Sequence, residues 1–139
     1  MLESSRYRRV LIVDDERIIS DTLATIFRNA GYDAKSVYSA EEALELLSQG
    51  DWVPDLAILD VRLPKMNGLD LAVHLKAEHP TCKLSLFSGQ PSTMEILEAA
   101  SAAGHSFDIL AKPVHPTEFL DLASAMLSPA DPDDLPLPA

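Results

Sequence analysis

The chain has 139 residues, 47% hydrophobic and 24% charged, which fits one domain able to bury roughly 70% of the surface its unfolded chain exposes and leaves no room for a second folded domain. A formal charge of −11, from 22 acids against 11 bases, argues against a nucleic-acid surface, because phosphate contacts need clustered Lys and Arg; the expected partners are proteins or cations. No apolar stretch approaches the roughly 20 residues of a membrane helix, the run at Val10 to Val13 is too short for a secretory signal, and a lone Cys82 gives no disulfide framework, so a cytoplasmic location is expected.

Arg8-Arg9-Val10-Leu11-Ile12-Val13 is a short β-branched run that stops at Asp14-Asp15-Glu16, the pattern of a buried strand and a turn. Ile18, Ile19, Leu23, Ile26 and Phe27 recur at helical spacing, and Gly31 supplies a stop, which predicts a helix over 17–30. Residues 32–38 alternate weakly, as a strand nearer an edge does. Ser39 followed three residues later by Glu42 is a capping box, with Ala43, Leu44, Leu46 and Leu47 as the buried stripe of a second helix. The apolar run at Leu56 to Leu59 ends abruptly in Asp60, and Pro64 and the Asn67-Gly68 pair break the chain before a new amphipathic run. That run, with Leu69, Leu71, Ala72 and Leu75, predicts a third helix ending before Pro80.

A fourth strand is expected over 83–87, ending at Ser88-Gly89, then an Ala-rich fourth helix over 91–103 with Met94, Ile96, Leu97 and Ala100 as its apolar positions. A fifth strand over 107–111 ends at Lys112-Pro113, and a last helix over 117–127 is built on Phe119, Leu120, Leu122, Ala123 and Met126, with Pro116 suited to its start. From Ser128 the chain holds four Pro and three Asp with no base, the composition of a disordered or loosely attached tail. The expected organisation is therefore an N-terminal extension over 1–7, one domain over 8–127 and a tail over 128–139.

Strands alternating with helices imply an α/β fold, a parallel sheet covered on both faces by right-handed crossovers. In such sheets ligands bind outside the carboxyl ends of the strands, where strand order reverses. Asp14, Asp15, Asp60, Ser88 and Lys112 all stand at predicted carboxyl ends. Three carboxylates gathered there would repel one another by roughly 4 kcal/mol per pair at about 4 Å in an effective dielectric near 20, and so need a cation. A few hard oxygen ligands favour Mg²⁺ over Zn²⁺, which would want His and Cys. An ammonium from Lys112 and a hydroxyl from Ser88 could receive phosphoryl oxygens, so the set describes formation of an aspartyl phosphate. No glycine-rich phosphate loop is present, so the phosphoryl group is expected to arrive from another molecule. Read alone, Asp14-Asp15 could equally be a plain acidic turn.

Over residues 8–127 the sequence resembles the receiver domain of two-component response regulators, the CheY-like family. The matching motifs are Val13-Asp14-Asp15-Glu16, Leu59-Asp60-Val61-Arg62-Leu63-Pro64-Lys65-Met66-Asn67-Gly68, Ser88-Gly89 and Ala111-Lys112-Pro113. The resemblance implies a three-layer, doubly wound, flavodoxin-like fold with five parallel strands in the order 2-1-3-4-5. It implies that Asp60 is phosphorylated by a histidine kinase or histidine phosphotransfer protein. It further implies that Asp15 and Asp60 bind Mg²⁺ directly with the backbone carbonyl of Arg62, that Asp14 acts through water, that Ser88 and Lys112 hold phosphoryl oxygens, and that the Lys112-Pro113 bond is cis. Partner exchange or homodimerisation would use the face formed by the fourth helix, fifth strand and fifth helix, over about 92–126.

Two positions depart from the family pattern. Where receiver domains usually carry a switching Tyr or Phe, three residues before the lysine, this chain has Ile109, with Phe107 on the same strand face; the hydroxyl residue is followed by Gly89 rather than Ala. The leading expectation is a stand-alone phosphoacceptor switch acting through contacts with an unidentified downstream protein, and not an enzyme beyond self-phosphorylation from small donors and self-dephosphorylation. Two alternatives stay open. One is a small Mg²⁺-dependent phosphatase with an aspartyl-phosphate intermediate, although such enzymes usually place a second acid where Arg62 stands. The other is a phosphorylation-independent scaffold, suggested by Ile109. Arg62 itself either leans over the site or is solvated. His74, His79, His105 and His115 show no metal-ligand spacing, and Cys82 is expected to be inert packing.

Overall fold

The computed structural model describes residues 8–88, residue 98, the backbone of 109–111, and residues 115–127. Five parallel strands form one sheet: β1 (Arg9–Val13), β2 (Asp33–Val37), β3 (Leu56–Asp60), β4 (Lys83–Ser88) and β5 (Ile109–Ala111). Their order across the sheet is β2-β1-β3-β4-β5, as the family resemblance implied. Three helices, α1 (Arg17–Asn29), α2 (Ala40–Ser48) and α3 (Gly68–Glu78), fill the crossovers between the first four strands, and a C-terminal helix (Pro116–Leu127) follows β5. Of the helix expected over 91–103 only Glu98 is described, and it is helical. The N-terminal extension, the tail and the Lys112-Pro113 bond lie outside the described residues.

The alternation of side chains along each strand splits the apolar residues between two cores. Val10, Ile12, Leu56, Ile58 and Phe87 pack with Leu23, Ala24 and Phe27 of α1 and with Phe119, Ala123 and Leu127 of the C-terminal helix. Leu11, Val13, Ala57, Leu59 and Leu86 pack on the other face with Ala43 and Leu47 of α2 and Leu71, Ala72 and Leu75 of α3. β1 and β3 are buried along nearly their whole length, which is why they read as continuous apolar runs; β2, at the edge, buries only Ala34 and reads as weakly alternating.

Ile18 departs from expectation. It is 82% exposed, because it stands nine positions before the buried Phe27, and at about 100° per residue it falls on the opposite side of α1. The inward position of that first turn belongs to Ser20, which is fully buried. α1 then stops at Gly31, whose φ of +99° is one that L side chains rarely adopt; Tyr32 donates its amide to the Phe27 carbonyl at 3.0 Å and sets its ring edge-on to Phe27 at 5.3 Å between centroids.

The predicted cap of α2 is present. The Ser39 hydroxyl accepts the Glu42 amide at 3.0 Å, and the Glu42 carboxylate accepts in return, from Tyr38, one residue before the cap, at 2.9 Å. Ser39→Ala removes an acceptor from one of the amides that the first helical turn leaves without an intrahelical partner, and is expected to cost about 1 kcal/mol. The check is urea unfolding, with a lower midpoint at unchanged slope.

At the amino ends of the strands Trp52 is buried, and its indole donates to Asp33 at 2.9 Å. Cys82 is buried, and that burial, with Asp55 nearby, pushes its thiol up to about 12, which fits the expected role in packing. His115 acquires a role that spacing had not suggested: its ring Nδ1 accepts the Thr117 amide at 3.2 Å, while its own amide donates to Glu118 at 3.0 Å, closing the start of the C-terminal helix.

Candidate metal and phosphoacceptor site

The site is assembled by register. Val13 of β1 pairs with Leu59 of β3, so the residues that follow them, Asp14 and Asp60, stand side by side at the carboxyl edge of the sheet. Asp60 in turn is level with Phe87 of β4, which puts Ser88 one step beyond it. Ser88 pairs with Ala111 of β5, the residue that precedes Lys112 in sequence. Four strands thus end at one edge, next to the switch between β1 and β3 where chain order reverses.

One carboxylate oxygen from each of Asp14, Asp15 and Asp60 lies within 4.8 Å of the others. Asp14 and Asp60 are buried and Asp15 is exposed. Asp14 Oδ1 accepts the Glu16 amide at 2.9 Å, and Asp60 Oδ1 accepts the Arg62 amide at 3.1 Å. Each acid therefore has one oxygen oriented by the backbone two residues ahead, a local turn that Asp favours. Three clustered carboxylates, two of them out of solvent, form a hard-oxygen set that suits a divalent ion such as Mg²⁺. Among the described residues no other group of three acids, His or Cys gathers in this way.

The loop between β3 and α3 is pinned at several points. Val61 donates its amide to the Phe87 carbonyl at 3.0 Å, and Gly68 donates to the Val61 carbonyl at 2.9 Å. Leu63 is buried in the core, Lys65 adopts a φ of +60°, and Asn67 caps α3 by accepting the Asp70 amide at 2.8 Å. Glu41, at the start of α2, accepts the Met66 amide at 3.4 Å. Arg62 is exposed, and its backbone is held by the bond to Asp60. Ser88 is buried at the end of β4. Lys112, Phe107 and Gly89 lie outside the described residues, Ile109 is described only as a β5 backbone position paired with Leu86, and the expected exchange face over 92–126 is described only in part.

A second polar group beside this edge had no signal in the sequence. Asp21 of α1 accepts the Tyr38 hydroxyl at 2.7 Å and the Ser36 hydroxyl at 2.8 Å, and the Arg17 guanidinium lies over the Tyr38 ring at 4.2 Å. The Tyr38 hydroxyl first, and Ser36 second, hold the Asp21 carboxyl below its ordinary 3.8. Because the folded value is the lower one, the unfolded chain binds more protons in that range, and the stabilisation present at neutral pH is lost as pH falls through the folded value. Asp21→Asn is expected to flatten the dependence of stability on pH below about 4, measured as urea midpoints across an acid series.

The comparisons with known proteins agree with this geometry. A family model described as the response regulator receiver domain matches residues 10–124. Regulatory protein VanR of Enterococcus faecium is 30% identical over 119 residues, which make up 86% of this chain and 49% of that protein. Response regulator protein PilR of Pseudomonas aeruginosa is 31% identical over 126 residues, 91% of this chain and 27% of that protein. The chain thus spans about half the length, or less, of these curated relatives. Among solved structures, a CheY-like response regulator receiver domain protein from Methanospirillum hungatei superposes with a TM-score of 0.75 at 27% identity, covering 86% of this chain and 92% of the other. No helix among the described residues is long and apolar enough to cross a membrane. With most of its length matched by the family model, its strand order that of the CheY-like fold and its acidic cluster at the matching edge, the chain belongs to the response regulator receiver domain family.

Proposed function

We propose that Asp60 is the phosphoacceptor of a two-component phosphorelay, taking a phosphoryl group from a histidine kinase or histidine phosphotransfer protein. The observation that supports it is the convergence of Asp14, Asp15 and Asp60 within 4.8 Å at the carboxyl edge of the sheet. An Asp60 oxygen forms the new bond to phosphorus as the bond to the donor's imidazole nitrogen breaks, and the proton that the imidazole needs comes from solvent. Asp15 and Asp60, with the Arg62 backbone carbonyl, would hold Mg²⁺ directly, and Asp14 through water. Bound there, the ion neutralises the carboxylates and the charge on the incoming phosphoryl oxygens. The Ser88 hydroxyl donates to one phosphoryl oxygen and Lys112 pairs with another. The backbone bond from Arg62 to Asp60 keeps one Asp60 oxygen oriented.

The consequence is a change in protein contacts, over the face that includes β5 and the C-terminal helix. With Ile109 in place of the usual aromatic, that change does not run through rotation of a ring at this position.

The test is incubation with Mg²⁺ and acetyl phosphate or phosphoramidate, followed by intact-mass and peptide mapping. A labile phosphoryl adduct on Asp60 that needs Mg²⁺ is expected. Steady phosphate release from many esters would replace this reading with that of a phosphatase, and no adduct from either donor would replace it with a scaffold.

A further inference from the structure

We infer that Ser20 is a positioning residue for the metal site, its buried hydroxyl fixing the acidic turn through the Val37 carbonyl; the inference rests on the proposed Mg²⁺ role of Asp14, Asp15 and Asp60. Ser20 is the one polar residue among the buried positions of α1, where Leu23, Ala24 and Phe27 complete the stripe. A hydroxyl in such a place is unfavourable unless it is hydrogen-bonded. Its oxygen lies 3.4 Å from the Ile12 carbonyl and 3.3 Å from the Val37 carbonyl, so its single proton bridges the ends of β1 and β2. The same Val37 carbonyl accepts the Asp14 amide at 3.2 Å, one step past the last paired residues of those strands, Val13 and Val37.

The Ser20 backbone closes the other side. Its amide donates to the Glu16 carbonyl at 3.0 Å, one of the first bonds of α1. The turn Asp14-Asp15-Glu16 is therefore bracketed by one residue, with the side chain of Ser20 acting on the acceptor of Asp14 and its amide acting on Glu16. Two of the three clustered carboxylates sit within that bracket. Loss of the hydroxyl leaves the Val37 carbonyl with one donor fewer and lets the turn shift relative to Asp60, which is anchored separately on β3. On the surface, Asp21 with Ser36 and Tyr38 also ties α1 to the end of β2, so α1 remains docked when the Ser20 bond is gone.

The experiment is Mg²⁺ titration calorimetry on the wild-type protein, Ser20→Ala, Ser20→Cys and Trp52→Phe, with hydrogen exchange at the Asp14 amide in the metal-free proteins. Ser20→Ala is expected to weaken Mg²⁺ binding roughly tenfold, as loss of a supporting hydrogen bond around a ligand does, and to speed exchange of the Asp14 amide. Ser20→Cys, which keeps the shape and a weaker donor, is expected to fall between. Trp52→Phe removes a bond at the opposite end of the strands and is expected to lower stability with Mg²⁺ affinity unchanged, separating positioning from general loosening. Equal affinity in the wild-type protein, Ser20→Ala and Ser20→Cys overturns the assignment. Absence of Mg²⁺ binding by the wild-type protein itself overturns the metal reading beneath it as well.

Discussion

Asp60→Asn is expected to abolish the phosphoryl adduct and, in the absence of divalent metal, to make the protein more stable. The two effects have one origin. Asp60 is buried beside buried Asp14 and within reach of Asp15, so the metal-free fold carries two repulsions that involve its charge. A pair at about 4 Å would contribute roughly 4 kcal/mol at an effective dielectric near 20. Asp15 is exposed and its share is screened by water and salt, so a net gain of about 1–2 kcal/mol in chelator is the expected scale. Asn keeps the shape and can still accept the Arg62 amide through its carbonyl oxygen, so the turn is retained. With Mg²⁺ the order reverses. A site bound at about one hundred times its dissociation constant adds roughly 2.7 kcal/mol to the wild-type fold, and the variant, with one carboxylate fewer, gains much less. Urea unfolding with chelator and with saturating Mg²⁺ gives both numbers. A variant that gains as much from Mg²⁺ as the wild-type protein does would remove Asp60 from the ligand set.

The second large effect is expected from Gly68→Ala, a change of one methyl group. A Cβ built on Gly68 collides with the carbonyl oxygen of Asp60, and lies 2.7 Å from its carbonyl carbon and 3.0 Å from Val61 Cα. All three atoms are backbone at the end of a buried strand, so no side chain can turn aside. Gly68 has an ordinary negative φ, so the requirement for glycine is one of space: the first turn of α3 presses on the residue that carries the proposed nucleophile. Overpacking of this kind costs about 1–3 kcal/mol where side chains can yield, and the upper end, about 3 kcal/mol, is expected here because only backbone can move. That movement shifts Asp60 against Asp14 and Asp15, so phosphoryl uptake from acetyl phosphate is expected to slow by at least tenfold, since displacements of about 1 Å at a reacting group can cost a hundredfold. Full uptake rates in a destabilised Gly68→Ala protein would show that α3 packing and acceptor placement are independent.

The elements and much of the acidic site were legible because their signals are local. Val10 to Val13 and Leu56 to Leu59 are apolar without interruption because β1 and β3 are covered on both faces, and Ser39 with Glu42 marks a helix start whatever lies elsewhere in the chain. Asp14, Asp15, Asp60 and Ser88 could be picked out because each follows an apolar run, and parallel strands present all their carboxyl ends at one edge. Registers between strands distant in sequence, by contrast, depend on how layers pack. The pairing of Val13 with Leu59 is what brings Asp14 beside Asp60, and no local pattern states it.

Ile18 joins the apolar pattern of α1 by residue type alone. Helical spacing sets it opposite Phe27 and puts Ser20 in line with Leu23, Ala24 and Phe27, and the structure buries the serine and exposes the isoleucine. Gly68 looked like a chain break after Asn67, and its closeness to Asp60 appears only when α3 is laid against β3. Composition, periodicity and punctuation along the chain thus determined which segments are strands and helices and which acids end them. The tertiary structure decided which of those acids share a few ångströms and which neighbours hold them there, because distances through space are set by packing between segments and not by order along the chain.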